Sequence, residues 1–400
     1  MRASGSRGTG SDPRFLVYLE AGPVRNEVVA TGLNRAAVPL LKSIEDLIDR
    51  IVIYPTQQWY PNCDFDPSIA TRCISLGPFW TRFYRLMGRL HCTAPIIADS
   101  PPAAMAAAIS GTSPAGMVLS FVGSDVGAVF RTEKLARYLN KPYALYLVDD
   151  FILPMELMGR SARIIREASL RAGRVIRKAS RVLTITDSLG DLIRMRYGVE
   201  SETLALAFET VPRPNCPEKL EITFVGNVSF LYADGLRCLF DVVRKVRADL
   251  AVDLRVRLTA SESSATRELG ELPSFVLAQA ADGARGLSEV IASSLFAFLP
   301  YTFDAKYRRM VETSFPSKCL EYFAFAKSIV VLGPEYGTSV KYFKALNLST
   351  TCDGAAALET AIRDHLREHR DYGDRYLEAL QARHSLAGAR RTLTESLVSE

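Results

Sequence analysis

The sequence predicts an α/β protein that consists of two Rossmann-like doubly wound domains facing each other across a cleft. Short apolar runs alternate with helical patterns along most of the 400 residues, and a proline-rich segment interrupts the alternation near the middle. Short apolar runs bounded by helices are typical of buried parallel strands. Two such arrays, each of ordinary domain length, therefore predict two open parallel sheets covered by helices.

The first array precedes the proline-rich segment. We predict strands near residues 14–19, 51–54, 117–122, 143–148 and 181–186, and helices at about 33–49, 126–139, 161–179 and 187–197. The second array follows it. We predict strands near 221–226, 252–260, 274–280, 295–301 and 328–333, with helices near 231–248 and 316–326 and a helical, charged remainder after Cys352.

The segment TVPRPNCPEKL has three prolines and no periodicity, which is typical of a linker. The predicted organisation is a disordered N-terminus at 1–12, a first domain at 13–209, a linker at 210–220, a second domain at 221–375 and a C-terminal helix at 376–400 that packs back towards the first domain.

Composition excludes several classes of protein. Hydrophobic residues make up 48% and charged residues 23%, as in globular chains, and a formal net charge of +5 is too small to indicate a nucleic-acid partner. No apolar run reaches the ~18 residues that a membrane-spanning helix needs. The seven cysteines are scattered without a CxxC pair, which favours reduced thiols in a cytoplasm over a disulfide framework or zinc site.

The clearest candidate for a binding site lies in the second domain, because ligands of open parallel sheets bind outside the carboxyl ends of the strands. In SFPSKCLEYFAFAK, Pro316 suits the first turn of a helix, so the amides of Ser317 and Lys318 would lie at its positive N-terminus. Glu321, one turn further, could accept hydrogen bonds from a ribose. An ordinary surface pair between Lys318 and Glu321 is the alternative.

Three segments carry a resemblance to a known family: KASRVLTITDSLGDLIRMRYG, ITFVGNVSFLYADGL and LPYTFDAKYRRMVETSFPSKCLEYFAFAKSIVVLGPE. They resemble, in this order, the end of the first domain, the start of the second and the donor-binding half of family-4-like bacterial glycosyltransferases with the glycosyltransferase-B fold. The resemblance covers roughly residues 140–350. It implies a nucleotide-sugar donor held mainly by the second domain. Lys306, Arg308 and Arg309, on a loop after the predicted strand at 295–301, could neutralise a diphosphate without a metal, so no metal or other cofactor is expected.

The resemblance also implies roles for individual residues. Glu321 matches the second glutamate of the family's paired-glutamate signature, which binds the ribose. Ser317 and Lys318 match residues that approach the diphosphate. Gly226 and Asn227 match the glycine turn that lets the donor come close to the first strand of the second domain.

The sequence departs from the family pattern at two places. Thr313 stands where the family has its first glutamate, and Glu312 is one residue away. The basic pair expected near the glycine turn is missing from VGNVSFLYADG, so Lys306 and Arg308 are the candidates to replace it in donor binding. These departures leave open whether transfer retains or inverts the anomeric configuration.

Catalytic candidates end the strands of the first domain. Asp125 follows one strand and Asp149–Asp150 follow the next, while Glu20 and Gly22 end the first strand on the acceptor side. An inverting transfer needs a base near the acceptor hydroxyl, and we predict Asp150 for this role, with Asp125 as a second candidate. The alternative is that these acids cap helices.

Two metal-like patterns are discounted. His365 and His369 are spaced i,i+4 on a charged helix without a zincin context, so a solvated face is favoured over a metal site. Asp64 and Asp66 form a DxD, but the pair follows QQWYPNC and precedes Pro67, which indicates a loop.

The excess of positive charge is concentrated in one segment of the sequence. Residues 160–178 contain seven basic residues and one acidic residue, and the basic ones cluster on one arc of a predicted helix. Ile164, Ile165 and Val175 fall on the other side, which predicts a core-facing apolar stripe. A solvated face is one interpretation. The other is shallow, electrostatic docking on the anionic inner face of a membrane, where a lipid-linked acceptor would be found.

The sequence thus predicts a cytoplasmic glycosyltransferase that moves a sugar from a nucleotide-sugar to a glycan or lipid-linked acceptor in bacterial surface polysaccharide synthesis. Under the docking interpretation of the basic helix it is peripheral on the inner face of the membrane. A sugar-nucleotide epimerase or hydrolase on the same architecture is one alternative. A catalytically degenerate scaffold protein is the other, and the departure at Thr313 keeps it open.

Overall fold

The computed structural model describes residues 14–19, 32–53, 73–75 and 116–398. Within them the chain forms two parallel sheets. The first has seven strands in the order β3-β2-β1-β4-β5-β6-β7, and the second has six in the order β10-β9-β8-β11-β12-β13. In each sheet the strand order reverses beside the first strand, as in doubly wound Rossmann-like domains. The predicted fold class is confirmed.

The elements of the first half are as follows: β1 Phe15–Leu19, α1 Gly32–Ser43, a 3-10 turn Glu45–Leu47, β2 Ile48–Ile53, β3 Cys73–Ser75, β4 Met117–Val122, α2 Val126–Leu139, β5 Tyr143–Leu147, α3 Leu153–Leu157, α4 Ala162–Ile176, β6 Arg181–Thr184, α5 Asp187–Tyr197 and β7 Glu202–Thr203. The predicted helices at 126–139 and 187–197 coincide with α2 and α5. The helix predicted at 33–49 ends at Ser43, because its last residues enter the 3-10 turn and β2.

The elements of the second half are as follows: β8 Lys219–Phe224, α6 Ala233–Leu250, β9 Arg255–Leu258, α7 Glu262–Leu269, β10 Val276–Ala278, α8 Gly283–Ser293, β11 Ser294–Pro300, a 3-10 turn Ala305–Tyr307, α9 Arg308–Thr313, α10 Lys318–Phe325, β12 Ile329–Leu332, α11 Thr338–Leu346, β13 Thr350–Cys352, α12 Ala355–Glu368, α13 Gly373–His384 and α14 Leu386–Val398. The predicted helix at 316–326 begins two residues later, at Lys318.

The strands at the centre of each sheet are buried on both faces, as continuous apolar runs require. In the first sheet β1 lies between β2 and β4, with Val17 opposite Ile51 and Leu119. In the second sheet β8 lies between β9 and β11, with Ile222 opposite Val256 and Phe296. This placement aligns the carboxyl ends of the central strands along one edge of each sheet.

Local signals explain where the helices begin and how closely they pack. Asp125, Ser161 and Thr186 each cap a helix, since a side-chain oxygen accepts a hydrogen bond from an amide in the first turn. A Cβ on Gly235 in α6 would lie 2.6 Å from the Cβ of Pro300. Glycine is therefore what lets α6 pack closely against β11.

The last two helices run from the second sheet back to the first. His384 and Ser385, at the end of α13, meet Phe208 through a backbone hydrogen bond and a β-bridge. Further along, Arg390 in α14 donates hydrogen bonds to Ser43 O and to Asp46. The residue boundaries given above for domains and linker stay predictions, and the N-terminal segment 1–12 lies outside the described residues.

Candidate functional site: a cleft between the two sheets

A cleft of about 550 Å³ lies between the two halves of the chain, at the carboxyl ends of both sheets. Residues that follow strands β4, β5 and β6 line one wall, and residues that follow β8, β9, β10 and β11 line the other, together with the segment leading into α10. The first wall includes Ser124, Val148, Asp149, Asp150 and Ile185, and the second includes Gly226, Asn227, Thr259, Ser261, Ala280, Tyr301, Thr313, Ser317 and Lys318. The site is where ligands of open parallel sheets bind.

The turn after β8 brings backbone directly to the cleft. Gly226 has a φ of +92°, in the left-handed region that glycine tolerates, and its amide donates to Thr259 Oγ1 at 3.0 Å. The preceding amide, that of Val225, donates to the hydroxyl of Tyr322, which in turn donates to Phe298 O. The glycine turn is therefore fixed by the hydrogen bonds that it donates to Thr259, which follows β9, and to Tyr322 in α10.

A lysine ammonium lies beneath this turn. Lys318 is 7% exposed, and its Nζ lies 3.8 Å from the ring centroids of both Phe224 and Tyr232. Cation–π contact with two rings holds the charge in place inside the wall of the cleft. A Cβ built on Gly226 would be 3.7 Å from this Nζ, so the lysine and the glycine turn form one surface.

The N-terminus of α10 adds to the positive potential. Pro316, Ser317 and Lys318 line the cleft at the start of this helix, where the helix dipole places its positive end. The structure thus brings Gly226, Asn227, Ser317 and Lys318 together on one wall.

Three other predicted donor-binding residues lie elsewhere. Lys306 is exposed, with its Nζ 5.2 Å from the ring centroid of Tyr307, and Arg308 is paired with Glu312 at 2.8 Å; neither lines the cleft. Glu321 is half-buried one turn into α10 and does not line the cleft either. Their roles in donor binding stay predictions.

The structure shows which of Thr313 and Glu312 faces the cleft. Thr313, and not Glu312, faces the cleft, because α9 directs residues 309 and 313 inward and residues 308 and 312 outward. Thr313 Oγ1 donates to Arg309 O at 2.9 Å. Glu312 therefore points away from the cleft, in an ion pair with Arg308.

The two adjacent aspartates after β5 have opposite environments. Asp150 Oδ1 accepts hydrogen bonds from Arg196 Nη1 at 2.9 Å and from Ile152 N at 3.1 Å, and its Oδ2 lies 2.6 Å from Arg309 Nε. Two guanidinium groups, one from each half of the chain, thus hold this carboxylate. Both carboxylate oxygens are engaged by these contacts, and the assignment of Asp150 as the base stays a prediction.

Asp149 is the acid that lines the cleft without such partners. Burial and the neighbouring charge of Asp150 raise the pKa of Asp149 to about 6. Within the described residues no hydrogen-bond donor is assigned to its side chain. On the opposite wall, burial raises the pKa of the Tyr232 and Tyr301 phenols, and the negative charge of Asp149 contributes to the increase.

Asp125 has a structural task. Its Oδ1 accepts a hydrogen bond from Gly127 N at 2.8 Å as the cap of α2, and its Oδ2 lies 2.6 Å from Arg131 Nη2. Burial opposes ionisation, but the Arg131 charge and these hydrogen bonds hold the pKa of Asp125 below its usual value. It does not line the cleft. Glu20 and Gly22 lie outside the described residues.

No group of three or more acidic, histidine or cysteine side chains that could hold a metal ion occurs in the described part of the chain. His365 is buried, with Nε2 2.7 Å from Ser328 Oγ and Nδ1 2.7 Å from Ala361 O, and burial lowers its pKa. His369 is exposed and lies 2.8 Å from Glu218. The i,i+4 histidines therefore point to different environments. Asp64 and Asp66 lie outside the described residues.

Several residues of the cleft were not predicted as site residues from the sequence. Thr259 and Tyr301 lie at the ends of predicted strands, so their location was a usable signal, whereas Tyr232 lies in the predicted helix at 231–248 and gave none. Arg309 gave no signal of its own, since three basic residues within one short segment cannot be told apart until α9 is placed.

No family model matches the chain, and no curated protein matches it. Solved structures of similar fold exist. Sucrose-phosphate synthase from Thermosynechococcus elongatus is 11% identical with a TM-score of 0.65, covering 96% of this chain and 98% of its own. HepE from Anabaena, solved in complex with UDP and glucose, is 13% identical with a TM-score of 0.62, covering 96% and 99%.

A third structure, α,α-trehalose 6-phosphate synthase from Burkholderia multivorans, is 12% identical with a TM-score of 0.60 and covers 97% of both chains. Identities this low carry the fold alone. Coverage of nearly the whole of each chain means that both sheets, and not one, are matched. The chain therefore has the glycosyltransferase-B fold, two Rossmann-like domains that face each other across a cleft.

Proposed function

We propose that this protein is a glycosyltransferase that moves a sugar from a nucleotide-sugar donor to a glycan or lipid-linked acceptor in bacterial surface polysaccharide synthesis. The observation that carries the proposal is the cleft itself. One wall presents a buried lysine beside a glycine turn and a helix N-terminus, and the other presents an acid whose pKa is raised to about 6. A cationic wall facing an acid suits a donor with an anionic leaving group and an acceptor hydroxyl.

The second-domain wall would hold the donor. Gly226 and Asn227 allow close approach of the diphosphate, while Lys318 and the amides at Ser317 neutralise its charge. When the bond between the anomeric carbon and the phosphate oxygen breaks, the nucleoside diphosphate leaves with the electron pair. A fixed cation aimed at that oxygen stabilises the transition state. Neither a metal nor another cofactor is part of the proposal.

The first-domain wall would hold the acceptor. The acceptor oxygen forms the new bond to the anomeric carbon, and its proton must leave. Asp149 is the group we propose to receive it, because a carboxylate with a pKa of about 6 is ionised near neutral pH yet basic enough to take a proton. Asp150 then acts on Asp149 as a neighbouring negative charge.

A donor panel tests the proposal. Thermal stabilisation by UDP-, GDP-, ADP- and dTDP-sugars is measured first, starting with UDP-glucose because HepE was solved with UDP and glucose. We expect one nucleotide to raise Tm, and Lys318→Gln to abolish most of the shift. Lys327→Gln is the matched control, since Lys327 pairs with Glu218 on the surface and does not line the cleft.

Turnover separates the alternatives. Release of nucleoside diphosphate that depends on added saccharide acceptor supports the transferase. Equal release without acceptor, or conversion of the donor to an isomer, would instead establish the hydrolase or epimerase alternative. Tight donor binding with no turnover under any acceptor would establish the scaffold alternative, and no stabilisation by any nucleotide-sugar would refute donor binding altogether.

A further inference from the structure

Helix α4 presents a face of unneutralised arginines. Arg163, Arg166 and Arg174 are exposed, and in the part of the chain that the structure describes no carboxylate pairs with any of them. Other exposed arginines do have partners: Arg244 pairs with Asp241, and Arg285 with Glu289. The charge on α4 is therefore concentrated and unbalanced, with Glu167 the acid within the helix that offsets it.

An apolar side chain stands in the middle of this face. Leu170 is 63% exposed and lies one turn from both Arg166 and Arg174. Ile164, which the sequence predicts on the core side, is instead 41% exposed in the first turn of the helix. The true core side consists of Ala168, Ala172, Val175 and Ile176, all buried.

A third apolar side chain continues the surface towards the cleft. Met158 is 72% exposed and follows α3, whose first residues Leu153 and Pro154 line the cleft. Gly159, with a φ of +67°, turns the chain from α3 into α4. The surface thus begins about one helical turn from the mouth of the cleft and extends along α4.

We propose that this surface, formed by Met158, Arg163, Arg166, Leu170 and Arg174, docks on an anionic lipid bilayer with Leu170 and Met158 inserted between the headgroups. Exposed apolar groups framed by arginines match the two layers of a bilayer surface, anionic above and apolar beneath. A nucleic acid or other soluble polyanion would use the arginines but leave the apolar side chains in water. The docking is therefore deeper than a purely electrostatic contact.

The docked orientation would bring the cleft close to a membrane-bound acceptor, an inference that rests on the proposed function. A protein lying on α4 with Met158 at the bilayer places the acceptor wall of the cleft next to the membrane surface. A lipid-linked saccharide would then reach the cleft without leaving the bilayer. No helix among the described residues has the length and apolar content to cross a membrane.

Vesicle flotation tests the docking with the full chain and needs no donor or acceptor. The probes are phosphatidylcholine vesicles with and without phosphatidylglycerol, at low and high salt. We expect binding only with phosphatidylglycerol. The triple variant Arg163→Gln, Arg166→Gln, Arg174→Gln should bind on the order of 100-fold more weakly, at about 1 kcal/mol per arginine.

A matched triple variant controls for net charge. Arg244→Gln, Arg267→Gln and Arg285→Gln removes three exposed arginines from the second half and should bind like the wild type. Leu170→Gln keeps every charge and should remove the part of the binding that survives high salt. An unchanged melting curve for each variant shows that folding is intact.

Three results would overturn the proposal: equal binding by the α4 variant and the control, unchanged salt-resistant binding by Leu170→Gln, or binding to duplex DNA as tight as to the anionic vesicles. The last would identify a soluble polyanion as the ligand. Because flotation is independent of turnover, docking can fail while acceptor-dependent transfer persists, or the reverse.

Discussion

At the scale of residues, two neighbouring aspartates differ in their partners, and therefore in their roles. Asp150 is held by two guanidinium groups and its side chain is 3% exposed, whereas Asp149, on the same wall of the cleft, has no such partner among the described residues. Burial, together with the neighbouring charge of Asp150, keeps a proton on Asp149 up to about pH 6. A structural ion pair thus tunes the acid beside it, which is a common arrangement at functional sites.

The raised pKa predicts that Asp149 destabilises the protein at neutral pH. Below its ordinary pKa of 3.8 the carboxyl is protonated in both the folded and unfolded states, and it has no effect. Between 3.8 and about 6 the unfolded state loses the proton first, so the free energy of unfolding falls as pH rises. Asp149→Asn should therefore stabilise the protein by up to about 3 kcal/mol above pH 6 and by little near pH 4.

Urea unfolding at the two pH values measures this difference. The same variant should lose acceptor-dependent transfer while keeping the thermal shift caused by the donor. A stabilisation that is equal at both pH values would contradict the raised pKa, and unimpaired transfer would exclude Asp149 as the proton acceptor.

The sequence predicts where these aspartates lie but not which one faces the cleft. Both follow an apolar run, and strand-end position is readable from the pattern. What separates them is the position of Arg196 and Arg309, which lie far along the chain and meet Asp150 only after both halves have folded. For the same reason the sequence does not reveal that Lys306 and Arg308 lie away from the cleft. Their charge is visible in the sequence, but the direction of their side chains is not.

At the scale of elements, α9 sorts its residues into two faces. Arg308 and Glu312 form an i,i+4 pair on the outside, while Arg309 reaches both Asp150 and Glu156 in the first half. Long elements such as α2 and α5 follow from periodicity and capping residues. Short ones such as α9, α7 and β13, with six, eight and three residues, do not, because so few residues cannot show a period.

Substitution of the two adjacent arginines should have unequal effects. Arg309→Gln leaves Asp150 buried with a single guanidinium partner, and should lower the free energy of unfolding by about 3 kcal/mol. Arg308→Gln removes an exposed pair and should leave the free energy of unfolding nearly unchanged. Denaturant unfolding of both variants checks the contrast. Comparable losses would mean that the ion pair between Arg309 and Asp150 contributes no more than a surface contact.

At the scale of the whole molecule, two contact regions join the halves among the residues that the structure describes. The cleft-side region includes the pairs of Arg309 with Asp150 and Glu156 and the hydrogen bond from Thr186 Oγ1 to Thr313 O at 2.9 Å. The C-terminal region is built differently. His384 Nδ1 lies 2.7 Å from Leu206 O and its Nε2 2.7 Å from Tyr342 OH.

Burial lowers the pKa of His384 to about 4, so the ring stays neutral at higher pH and keeps both contacts. Buried rings surround it: Phe315 stacks on it at 5.9 Å between centroids. The C-terminal region is thus packed and apolar, whereas the cleft-side region depends on charge and hydrogen bonds. Opening of the cleft would break the cleft-side contacts and bend the C-terminal region, as in domain motion about a hinge.

Hydrogen exchange followed by mass spectrometry tests this division. In Arg309→Gln we expect faster exchange in 187–197 and 308–313, because the cleft-side contacts open more often, and unchanged exchange in 204–208 and 373–384. Arg390→Gln removes the contacts of α14 with Asp46 and Ser43 O, and should accelerate exchange in α1 and α14 while sparing the cleft side. If either variant accelerates both regions equally, the halves open by global unfolding and not about the C-terminal contacts.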